Sequence, residues 1–141
     1  MRRSSYRNRH RIHDSDFEAG RLILKALFAQ LRKDGLFAKQ SFMCCMGCAC
    51  AAIGDAATAN PGKYRGAFYY HKQDAEMLRE KGETYFGFGA LNEKGEPGTE
   101  AETLKIGREI EKLAVALGLK VTWDGDAHTR MKMRFPGLYP S

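Results

Sequence analysis

The sequence predicts an α+β fold: one domain on a mainly antiparallel sheet of four or five strands, with about three helices on one face. Three observations carry that expectation. Apolar residues recur at helical spacing in three segments, they alternate with polar ones in several shorter runs, and glycine, proline and asparagine breaks separate the two kinds of segment. A length of 141 residues with 43% hydrophobic and 28% charged residues suits one globular core, and no internal repeat divides it.

Ser15 followed by Glu18 reads as a capping box, with Asp14 and Asp16 adding negative charge at the positive end of a helix. That helix carries Phe17, Leu24, Leu27, Phe28 and Leu31 on one stripe and stops at Gly35. Leu36 to Met43 reads as an extended segment running into the cysteines, and Cys50 to Ala59 has the small, alanine-rich composition of a short packed helix. Asn60, Pro61 and Gly62 break the chain before a buried strand within Tyr64 to Tyr70. Lys72 to Glu80 predicts a second amphipathic helix, with Ala75, Met77 and Leu78 inward and Gly82 just past its end.

In Tyr85 to Ala90, strand alternation puts Phe86 and Phe88 on one face and Gly87 and Gly89 on the other. Close backbone approach or a bulge accounts for such glycines; a ligand beside them is the other reading. Asn92 to Gly98 is a polar tip, and Thr99 with Glu102 forms a second capping box. The helix behind it, with Leu104, Ile106, Ile110, Leu113 and Leu117, ends at Gly118. Val121 and Trp123, a turn at Asp124 and Gly125, and Met131, Met133 and Phe135 then predict a terminal hairpin.

Charge is concentrated at the start. Residues 1–13 hold Arg2, Arg3, Arg7, Arg9 and Arg11 without a carboxylate, so nearly all of the chain's net charge of +6 belongs to that segment and residues 14–141 are close to neutral. A cationic stretch poor in apolar residues cannot offset the entropy of ordering, so residues 1–13 are expected to form a flexible arm. Each arginine that meets a phosphate displaces a counterion, which points to an anionic partner: nucleic acid or a large polyanionic assembly. A solubility tail or the start of a mitochondrial-type presequence explains the same residues more plainly. No run of about 18 apolar residues is present to span a bilayer, and no secretory apolar core follows the arginines, so a soluble, cytoplasmic protein without a membrane partner is expected.

All four cysteines, Cys44, Cys45, Cys48 and Cys50, fall within seven residues. In a reducing compartment such a cluster holds metal or acts chemically more readily than it forms disulfides. Cys45 and Cys48 have the C-x-x-C spacing of a zinc knuckle, with Cys50 two residues on. Zinc takes a tetrahedral set, and adjacent cysteines point apart in most backbones, so the expected ligands are Cys45, Cys48, Cys50 and His71, with Cys44 as an extra metal ligand or free thiol. His71 is chosen because it ends the Phe68 to Tyr70 run, where a strand projects an imidazole toward a neighbouring loop. Two other readings stand beside this one: inert thiols acting as small hydrophobes, and a nucleophile formed by Cys45 or Cys48 with His71 and Asp74. Asp74 also has a simpler role, as a carboxylate in the first turn of a helix.

Three blocks of the chain resemble the bacterial family of the domain of unknown function DUF6891. They are Leu27 to Ile53, including Phe42 to Cys48; Phe68 to Ala90, where His71, Gln73 and Asp74 match an H-x-Q-D element; and Gly107 to Asp126, ending in Trp123, Asp124 and Gly125. The family pattern carries C-C-x-x-C-G-H where this chain has Cys48, Ala49 and Cys50. Cysteine in place of histidine preserves a zinc ligand, so the resemblance favours metal over a catalytic base. It implies no established activity. The expected function is therefore a non-catalytic binding or accessory protein with a zinc-stabilised Cys/His site and a basic arm. The alternative is a thiol- or zinc-dependent enzyme using the cysteines, His71 and Asp74 near Tyr69, Tyr85 or Trp123.

Overall fold

The computed structural model describes residues 11–138. Within it the elements run α1 (Asp14–Lys33), β1 (Leu36–Lys39), α2 (Met46–Ala59), β2 (Gly66–Tyr69), α3 (Lys72–Lys81), β3 (Glu83–Ala90), α4 (Glu100–Ala116), β4 (Lys120–Thr122) and β5 (Met131–Arg134). The five strands form one sheet in the order β1-β2-β3-β5-β4. Only β1 and β2 are parallel; the other three pairings are antiparallel. The α+β single domain with a mainly antiparallel sheet is the fold expected from the sequence.

The larger core lies on one face. Leu24, Leu27, Phe28 and Leu31 of α1, Leu78 of α3, and Ile106, Ile110 and Ala114 of α4 cover Leu36, Ala38, Phe68, Phe86, Met131 and Met133 of the sheet. Phe68 and Phe86 stack at 5.2 Å, and the Phe28 ring sits 4.8 Å from Phe68. The close approach of α1 depends on Gly20, where a Cβ would run into the Phe135 ring.

The expectation of helices on one face needs a correction, because there are four helices and α2 lies on the other side. Parallel strands cannot be joined by a tight turn, so β1 and β2 need a crossover, and α2 provides it. Its buried Ala49 and Ile53 meet Phe37, Ala67 and Tyr69, which alternation directs to the second face. This cover extends over β1 and β2, while Tyr85 of β3 remains exposed.

Other boundaries shift for local reasons. The Ser15–Glu18 capping box does not form: α1 starts at Asp14 with His13 as its N-cap, which places Ser15 inside the helix. Ile12 donates its N–H to the Glu80 carbonyl at 3.0 Å, Arg79 donates to the Ile12 carbonyl at 3.2 Å, and Arg79 also pairs with Asp14. The chain is thus tied to the domain from Ile12 onward, ahead of residue 14. Arg11 is within the described residues, whereas Arg2, Arg3, Arg7 and Arg9 lie outside them. The terminal hairpin pairs Thr122 with Lys132, so its connection is longer than an Asp-Gly turn and is braced by Asp124 accepting from the Thr129 hydroxyl at 2.6 Å. Among the described residues, no helix is long and apolar enough to cross a membrane.

Candidate metal centre

The chain leaves β1 through a loop held at two backbone points. Phe42 donates its N–H to the Tyr70 carbonyl at 2.8 Å, and Lys72 donates to the Met43 carbonyl at 3.0 Å. Ser41, just ahead of these anchors, and Met43, at the second of them, have φ of 48° and 62°, a left-handed conformation that costs a non-glycine residue about 1 kcal/mol or more. The loop then delivers Cys45 as the N-cap of α2. It lies at the carboxyl ends of the two parallel strands, where α2 and α3 both begin. Two helix N-termini there favour negative charge.

Three sulfurs converge at this end. The Sγ atoms of Cys44, Cys45 and Cys48 all lie within 4.8 Å of one another. Cys44 Sγ is 3.4 Å from Cys48 Sγ and 3.8 Å from Cys45 Sγ. Cys44 and Cys48 are exposed and Cys45 is half-buried. Their protons are unequally held. The Cys48 backbone amide, then the thiols of Cys48 and Cys44, draw the Cys45 thiol below its ordinary value, although its sulfur makes no capping hydrogen bond of ordinary geometry. Cys48 is pushed up to about 11, first by its hydrogen bond with Cys44, then by that with Cys45, and by the charge either would carry.

Of the four expected ligands, the structure brings two together. Cys45 and Cys48 belong to the cluster, Cys44 joins them, and Cys50 and His71 do not. Cys50 is two residues from Cys48 on a helix, a rotation of about 200° that sends it to another side, where its Sγ sits 3.5 Å from the Tyr69 hydroxyl. His71 is the N-cap of α3. Its Nδ1 accepts from the Asp74 N–H at 3.3 Å, its Nε2 lies 3.2 Å from Asp74 Oδ2, and its own N–H donates to Oδ2 at 3.2 Å. Nδ1 is thus engaged in a reciprocal capping box, and Nε2 faces the same carboxylate. The simpler reading of Asp74 is the one the structure supports.

Asp74 has a second partner, absent from the sequence-based reading. Arg130 clamps it with contacts of 2.7 and 3.2 Å and lies over the Tyr85 ring at 5.4 Å. At a sequence separation of 56, nothing in the local pattern signals this pair. Trp123 packs edge-on against Phe88 at 5.4 Å and lies half-buried against the core.

The sequence profile described as Domain of unknown function (DUF6891) matches residues 11–135. The chain belongs to the DUF6891 family. The match takes in every element from α1 to β5, so the thiol loop, the His71–Asp74 cap and the Arg130 clamp all lie within the DUF6891 domain. No curated protein and no solved structure matches the chain.

Proposed function

We propose that this DUF6891 protein binds a thiophilic metal ion through Cys44, Cys45 and Cys48, with zinc as the ion that fits. The spacing of the sulfurs carries the reading. Two thiolates about 2.3 Å from a tetrahedral zinc stand about 3.8 Å apart, and the separations from Cys44 are 3.8 and 3.4 Å. Backbone conformation supports it, because the two left-handed non-glycine residues of the described chain both fall in the loop that presents these sulfurs.

Three protein ligands leave one tetrahedral position for water or an external donor, the pattern of an exchangeable site rather than a closed structural one. With the main hydrophobic core on the opposite face of the sheet, the ion is an addition to a fold that stands without it. This favours a binding or accessory role, in a reducing compartment such as the cytoplasm. The arginines of residues 1–11 fit the same role as an arm that docks on a polyanion. Removing residues 1–10 is expected to leave the melting temperature unchanged and to weaken binding to a DNA oligonucleotide at low salt; equal affinity with and without them sinks the arm.

The test of the site is zinc content after chelator-free purification and zinc affinity in a competition titration. C44S, C45S and C48S should each lose affinity by at least about tenfold, whereas C50S should bind as the parent does. A protein that takes up no zinc at micromolar concentrations, or a C50S variant impaired as much as C45S, overturns the proposal.

A further inference from the structure

On the second face, α2, β2, β3 and the loop after β3 enclose a cleft of about 230 Å³. Ile53, Ala67, Leu91 and Pro97 make it apolar, no charged side chain lines it, and none of the three clustered cysteines reaches it. At one end stands the pair formed by the Cys50 thiol and the Tyr69 hydroxyl, 3.5 Å apart.

The glycines around the cleft separate into two kinds. Gly87 and Gly95 are required by geometry: a Cβ at Gly87 would come within 2.6 Å of the Tyr69 ring, and Gly95, at φ 82°, presses against the Ala57 carbonyl. Gly54 and Gly89 are not required. Neither has positive φ, and a Cβ at either would meet nothing within 4 Å. Glycine in a helix or strand interior costs about 0.5–1 kcal/mol relative to alanine. Among the described glycines without positive φ, Gly47, Gly54 and Gly89 alone face open space. Gly47 adjoins the thiol cluster; the other two line the cleft. Two positions that would accept a side chain, and gain stability from it, are left bare on the same space.

We propose that this cleft is a binding site for a small, uncharged, ring-sized molecule carrying one hydrogen-bond acceptor. The size follows from volume, since a cavity of about 150 Å³ takes benzene and the larger space admits a ring with a short substituent. Neutrality follows from a lining without charge, where a bare ion would lose its hydration with nothing in return. The acceptor follows from Tyr69. Burial first, and its contact with Cys50 second, push its phenol well above the ordinary range, so it remains a proton donor at physiological pH. Its present partner is a thiol, a weak acceptor that a carbonyl oxygen displaces. The site requires no metal and is independent of the thiol cluster.

Acetophenone is the probe, with ethylbenzene as the match lacking an acceptor and benzoate as the charged match, each followed by saturation-transfer NMR titration. Acetophenone should bind the parent protein, ethylbenzene more weakly, and benzoate not at all. G89V, which places a side chain in the open space, should weaken acetophenone by at least about tenfold while melting no earlier than the parent. Y69F, which removes one oxygen, should weaken acetophenone by about tenfold, the worth of one hydrogen bond, and leave ethylbenzene unchanged. No saturation transfer from the parent to acetophenone, equal affinity in G89V, or benzoate binding as well as acetophenone each overturns the assignment.

Discussion

Asp74 offers the sharpest separation between a structural cap and a working site. In the D74A variant two losses fall together. The carboxylate that receives the His71 N–H disappears, costing about 1 kcal/mol as a lost cap. Arg130, three-quarters buried, keeps only the Tyr85 carbonyl at 3.4 Å and the Tyr85 ring, which adds about 2 kcal/mol for a charge stripped of its bidentate partner. The sum, about 3 kcal/mol, corresponds to a fall of about 10 °C in melting temperature for a domain of this size. His71 calibrates the first part alone: H71A should lose about 1 kcal/mol, while H71N, an effective N-cap, should stay within about 0.5 kcal/mol of the parent. Urea unfolding followed by circular dichroism measures these differences, and zinc competition on the same samples measures the site. Zinc affinity should be unchanged in all three. A D74A cost under about 1 kcal/mol would contradict the pairing, and loss of zinc from H71N would restore His71 as a ligand and refute the capping argument.

Three further outcomes are expected. Thr84 is fully buried and its hydroxyl has no hydrogen-bond partner among the described residues, so T84V should raise the urea midpoint, by about 1 kcal/mol in stability; a comparable fall would show that the hydroxyl matters. For Glu83, burial raises the carboxyl pKa, but bonds to Arg134 and Lys132 outweigh it and the net shift is downward from 4.5. The contribution is therefore present above that value and fades as pH falls through the lower folded one, so the gap between parent and E83Q should be widest near neutrality and close in acid. Iodoacetamide at neutral pH should modify Cys45 before Cys48, because the thiolate is the nucleophile and Cys48 holds its proton up to about 11; equal rates by peptide mapping would count against the assigned order.

Much of the architecture is legible in local pattern. The amphipathic helices α1, α3 and α4 and the strands β3, β4 and β5 follow from periodicity, β1 and β2 from short apolar runs next to chain breaks, and the Thr99–Glu102 box forms as spacing predicts, with Glu102 accepting from the Thr99 N–H at 2.8 Å. The Ser15–Glu18 box has the same spacing and fails, because contacts between residues 12–14 and Arg79 start the helix earlier. The parallel pairing of β1 and β2 was not legible, and it decides which face α2 occupies. The cysteine cluster was readable as a region, but not which three thiols meet in it. Spacing alone favoured Cys50 over Cys44, whereas a helix starting at Met46 turns Cys50 away and brings residues four apart, Cys44 and Cys48, to one side. Arg130 and Asp74 meet only through the fold.

The backbone bonds from Phe42 to Tyr70 and from Lys72 to Met43 fasten the chain to its neighbours just before the cysteines, and α2 begins immediately after Cys45. Thiols secured in this way are brought together as the chain folds, so an ion taken up there would find little left to arrange, and its uptake and release would turn on proton loss from the thiols and on the approach of competing donors.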